Sequence, residues 1–69
     1  MAFLVVELQE NSTGGLTYLA TTENNRDKAE SKYHEILQFA AVSTIPVHSA
    51  VLLSEEGFLI KRECYKHEQ

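Results

Sequence analysis

NNRDKAESKYHEILQFAAV, residues 24–42, spaces its apolar side chains three and four apart, whereas the segments on either side alternate or run continuously. When successive residues are turned by about 100°, Ala29, Tyr33, Ile36, Leu37 and Ala40 fall on one side. Asp27, Ser31, His34, Glu35 and Gln38 fall opposite, so the segment predicts an amphipathic helix with a single face to bury. Asn25 is the expected cap for the first free amides, and Asp27 and Glu30 sit in or near the first turn, where the helix dipole favours negative charge. The helix is expected to end near Ala41. Val42, Ser43 and Thr44 are poor helix formers, and Pro46 biases Ile45 to an extended conformation.

Working outward from this helix, both flanks read as pairs of strands. Before it, AFLVVEL (residues 2–8) is rich in β-branched and aromatic residues and too short for a core helix. Alternation puts Leu4, Val6 and Leu8 on one face and Phe3, Val5 and Glu7 on the other; both faces are largely apolar, as in a central strand. ENSTGG (10–15) concentrates turn formers, and LTYLATT (16–22) is a second strand whose facing stays open, because Leu16, Tyr18 and Ala20 compete with Leu19 for the core. After the helix, residues 47–53 and 58–65 read as a hairpin, with SEEG as a type I turn closed by a left-handed glycine bulge. Pairing Ser54 with Phe58 sets Leu52 against Ile60, Ala50 against Arg62 and His48 against Cys64, with Val51 facing Lys61 and Val47 facing Tyr65 on the other side.

The expected fold is α+β: a single β-β-α-β-β domain, residues 1–69, with one helix across one face of a four-stranded sheet. Strand directions permit an antiparallel sheet in the order 2-1-3-4; an order pairing strands 1 and 4 stays open. The helix is expected to pack on Leu4, Val6, Leu52 and Ile60. The opposite face then carries Phe3, Val5, Val47, Val51, Leu53, Leu59 and Tyr65 beside Glu7, Ser49, Lys61 and Glu63. An apolar surface of that size implies a covering partner, most simply a second copy in a homodimer.

Composition narrows the function further. A chain of 69 residues with 43% hydrophobic and 23% charged residues is an ordinary globular domain with room for one small core. Cys64 is the single cysteine, so no internal disulfide forms and a reducing, cytoplasmic setting is the natural expectation. A formal charge of −4 disfavours nucleic acid as a partner, and the cluster Lys61, Arg62, Lys66 and His67 reads as a solvated strand end. The apolar run at residues 1–6 is too short to span a membrane, has no basic residues before it and is followed by Glu7, so it is assigned to the fold. Asn11-Ser12-Thr13 fits the glycosylation pattern, which is common by chance.

Reactive chemistry finds little support. His48 and Ser49 are strand neighbours pointing to opposite faces, which excludes them as a base and nucleophile. His48 and Cys64 meet across the hairpin in the expected register, but without an orienting acid or an oxyanion hole. Cys64 and His67 are three apart and diverge on a continuous strand, so His48, Cys64 and His67 are not a convincing metal set. Glu30 and His34 share a helical face as a solvated pair, and Gly14-Gly15 precedes no phosphate-binding helix. The expectation is therefore a non-enzyme with no catalytic, cofactor-binding or metal residues.

MAFLVVELQ, NRDKAESKYHEIL, AAVSTIPVHSAVL and GFLIKRE resemble segments of uncharacterised short proteins encoded in phages and prophages of Firmicutes. The likeness spans nearly the whole chain and implies a context instead of an activity: a bacterial cytoplasm during phage development, or a virion component made there. Two functions are consistent with it. One is a non-enzymatic assembly or interaction protein acting through the apolar sheet face; the other is a small acidic regulator or inhibitor of a host protein.

Overall fold

The computed structural model describes residues 2–11 and 13–67. Ser12 of the glycosylation-like triplet and the first residue of the N-terminal apolar run lie outside them. The elements follow in the order β1 (Phe3–Glu10), β2 (Leu16–Glu23), α1 (Arg26–Val42), β3 (Val47–Ser54) and β4 (Leu59–Lys66). They form the α+β arrangement expected, with one antiparallel sheet in the order β2-β1-β3-β4. Among the described residues no helix is long and apolar enough to cross a membrane.

Local chemistry explains where each element starts and stops. The Asn25 side chain accepts from the N–H groups of Asp27 (2.7 Å) and Lys28 (3.3 Å), so the expected cap is the observed one. At the other end Ser43 is extended and its N–H reaches back to the Ala40 carbonyl at 3.3 Å. Between β1 and β2 the Asn11 carboxamide accepts from Thr13 N–H (3.1 Å) and Gly15 N–H (2.9 Å), while Gly14 takes a φ of +87°. Between β3 and β4 the Ser54 N–H donates to Phe58 O at 2.9 Å and Gly57 adopts a φ of +89°, the turn with a left-handed glycine read from SEEG.

Helix α1 lies across β3 and β1 and buries Ala29, Tyr33, Ile36 and Ala40, with Leu37 packed at the margin of the core. The sheet side of that core differs from expectation on β1. Phe3 and Val5, assigned above to the uncovered face, are buried beneath the helix with Ala50 and Leu52, whereas Leu4 and Val6 point away from it. Both alternating sets of β1 are apolar, so alternation alone does not rank them; what does is Glu7, which shares the face of Phe3 and Val5 and hydrogen-bonds the buried His48.

A second correction concerns β4. Leu53 pairs with Leu59 but Leu52 pairs with Lys61, so Ile60 is an inserted residue in a β-bulge. Ile60 still packs on the core as expected. Beyond it every pair slips by one: Ala50 opposes Glu63, His48 opposes Tyr65, and Ser49 opposes Cys64. Tyr65, expected on the uncovered face, therefore shares the helix side with His48, and Lys61 and Glu63 join it there. The bulge lets Lys61 reach the Glu30 carboxylate on α1, which Arg26 also holds at 3.1 Å. Glu30 thus pairs with Arg26 and Lys61, not with His34.

Candidate functional site: the uncovered face of the sheet

The face away from α1 is built by all four strands. Register places Leu16, Tyr18 and Ala20 of β2, Leu4, Val6 and Leu8 of β1, and Val47, Val51 and Leu53 of β3 on it. Leu59, Arg62 and Cys64 complete it on β4. Val47, Val51, Leu53 and Leu59 stand where the sequence put them; Phe3, Val5 and Tyr65 are replaced by the β1 and β2 residues just named. No element of the described chain covers this face. Tyr18 is 74% exposed, Leu16 65% and Leu59 53%, and the half-buried state of Leu4, Val6, Val51 and Leu53 comes only from neighbours in the same sheet. A depression of about 480 Å³ lies along β3 and β4, lined by Leu8, Ser49, Ala50, Val51, Arg62, Glu63 and Cys64.

The opposite side of the sheet carries a buried polar array that sequence reading missed. His48 is 3% exposed; its Nε2 lies 2.6 Å from Glu7 Oε2 and its Nδ1 lies 3.1 Å from Ser43 Oγ. Gln9 Nε2 donates to the same Glu7 oxygen at 3.0 Å, and Ser43 Oγ donates to the Ala40 carbonyl at 3.3 Å when it accepts from the imidazole. Every buried polar side-chain atom among the described residues has a partner. The array ties β1, β3 and the end of α1 together, and His67 Nε2 adds a donor to Ala40 O at 2.8 Å. A usable signal existed: a histidine with core parity on β3 requires acceptors, and Ser43 at the helix end and Glu7 on the paired strand are the polar groups in reach.

The order carboxylate, imidazole, hydroxyl resembles that of a nucleophilic triad, but the surroundings are structural. Ser43 is the helix C-cap, its own N–H is bonded to Ala40 O, and the imidazole between it and Glu7 is closed to solvent. Cys64, proposed as a neighbour of His48, lies on the other side of the sheet opposite Ser49, so the thiol and imidazole cannot meet. Burial pushes the Tyr33 hydroxyl above its ordinary range, with Glu63 and Tyr65 adding to the effect; this too is a property of the packed side.

No family model, no curated protein and no solved structure matches this chain.

Proposed function

We propose that the protein is a non-enzymatic interaction protein that works by stacking its uncovered sheet face on a second copy of itself. The observation that supports this reading is the apolar face of β1, β2 and β3, which nothing in the described chain covers. Its size is adequate. Four strands of 8 residues, at about 3.3 Å per residue and about 4.8 Å between strands, give a face of roughly 26 by 19 Å. Two such faces bury on the order of 1,000 Å² together, the threshold of a specific interface. A twofold arrangement sets each patch against its own copy and leaves both helices outside. In the phage setting that the sequence resemblance implies, such a dimer serves as an assembly or adaptor unit.

The test is a charge in the centre of that face. Val51→Asp places a carboxylate beside Arg62 on that face, and the cost of desolvating the charge between the stacked sheets splits the dimer; Gln38→Asp, on the exposed side of α1, leaves it intact. Light scattering over a concentration series reads the mass of each. A parent that stays monomeric at high concentration overturns the self-association reading.

A further inference from the structure

The two edges of the sheet are unlike. On β4 the bulge at Ile60 and the charged residues Lys61, Arg62, Glu63 and Lys66 interrupt the edge, which is how proteins prevent an open strand from recruiting another. On β2 these devices are absent apart from the charge of Glu23 at its last position. The run from Leu16 to Thr22 has no charge, proline, glycine or bulge, and it is paired with β1 along its whole length. It is also exposed: Leu19, on the helix side, is 62% exposed because α1 sits over β1 and β3.

Which backbone groups that edge offers follows from the ladder. Asn11 N–H donates to Gly15 O at 2.9 Å, so Asn11 and Gly15 form a hydrogen-bonded pair in the register that continues through Gln9 with Thr17 and Glu7 with Leu19. Antiparallel pairs alternate. Thr17, Leu19 and Thr21 therefore direct their N–H and C=O groups to β1, and Leu16, Tyr18, Ala20 and Thr22 direct theirs outward. The same alternation carried across the sheet predicts a hydrogen-bonded pair at Ser54 and Phe58, and that bond is present.

We infer that β2 pairs antiparallel with β2 of a second copy, on a twofold axis that passes through Leu19 and runs normal to the sheet. Such an axis keeps both helices on one side, so paired residues share a face and the axis passes at a residue, not between two. Centring on Leu19 sets Tyr18 against Ala20 and Leu16 against Thr22, which satisfies the outward N–H and C=O of all four residues. It also brings Leu19 against its own copy at a non-hydrogen-bonded position, where side chains lie closest. Centring on Ala20 is poorer, because Leu16 then has no partner within the strand and Glu23 stands opposite Thr17. The product is a continuous sheet, β4-β3-β1-β2 followed by β2-β1-β3-β4, with charged edges only at its ends.

This pairing uses backbone at the edge and is independent of face stacking, and the two are separated by experiment. Leu19→Lys sets two like charges against each other across the axis while leaving the uncovered face and the buried core untouched. Ala20→Pro removes an outward N–H that the β1–β2 ladder does not use. The readouts are mass by light scattering and amide hydrogen exchange, with circular dichroism to verify folding. In the parent, the Tyr18, Ala20 and Thr22 amides are expected to be protected, and Leu19→Lys is expected to halve the mass and remove that protection. With both interfaces active the parent contains four chains, and Leu19→Lys or Val51→Asp alone leaves two. If face stacking is absent, the parent is a dimer that Leu19→Lys alone dissolves. Unprotected Tyr18, Ala20 and Thr22 amides in the associated parent, or an unchanged mass in folded Leu19→Lys, overturns the edge pairing.

Discussion

Val5 and Val6 are identical residues on adjacent positions of β1, and truncating each to alanine isolates which face of that strand is the core. Val5 is fully buried beneath α1, whereas Val6 stands on the uncovered face. Val5→Ala removes two carbons from a closed site: about 0.8 kcal/mol each for lost burial plus a cavity term, or about 2–3 kcal/mol in all. A domain of 69 residues, at roughly 0.05–0.15 kcal/mol per residue, has only about 3–10 kcal/mol to lose. Urea unfolding is the assay, carried out at protein concentrations low enough that the chain is monomeric, so that association does not contribute. With a slope near 1 kcal/mol/M, Val5→Ala lowers the midpoint by about 2 M, and Val6→Ala by less than about 1 M. Equal losses, or a larger loss for Val6→Ala, refute the assignment of Phe3 and Val5 to the core.

The remaining predictions concern individual devices of the fold. The Lys61 ammonium, and secondarily the Arg26 guanidinium, hold the Glu30 carboxyl below its ordinary range. Its stabilisation is therefore fully present above the unfolded value and lost as pH falls through the folded one; Glu30→Gln flattens that part of the acid-unfolding curve and leaves the curve above pH of about 6 unchanged in shape. Asn25→Ala removes the acceptor for two amides and destabilises by about 1 kcal/mol in thermal unfolding, with Asn25→Asp largely retaining stability. His48→Phe takes one partner each from Glu7, which keeps Gln9, and Ser43, which keeps the Ala40 carbonyl, and costs about 1–3 kcal/mol, while Cys64→Ser changes the unfolding midpoint little because its thiol is exposed.

Helix α1 was legible because Ala29, Tyr33, Ile36 and Ala40 repeat at helical spacing with polar residues opposite, and its start because Asn25 precedes it. Element directions permitted the observed strand order but left one that pairs strands 1 and 4 open; the structure decides for β2-β1-β3-β4. Facing on β1 was not legible, since Leu4, Val6 and Leu8 are as apolar as Phe3 and Val5, and the residue that decides between them, Glu7, is bonded to a histidine on β3. Glu7 read as a reason to face outward because its buried partner is 41 residues away. The bulge at Ile60 left no local mark either: Ile60 and Lys61 suit a regular strand equally well, and only the joint demands of core packing and the Glu30 ion pair place both toward the helix. One bulge moved Cys64 to the uncovered face and Tyr65 off it. Val47, Val51, Leu53 and Leu59 kept their assignment because on β3 alternation is unbroken, and Leu59 precedes the bulge.

The move of Cys64 supplies a reporter for the central claim, that the uncovered face is buried against a second copy. Its thiol is exposed in the single chain and borders the hollow with Ser49, Val51 and Arg62. The measurement is the rate at which Cys64 reacts with a disulfide reagent as protein concentration is raised, in the parent and in Val51→Asp. Face stacking predicts a rate that falls with concentration in the parent, in step with the rise in mass, and stays at the free-thiol value in Val51→Asp. A parent thiol that reacts at the free rate at every concentration, including those at which the chain is associated, contradicts it.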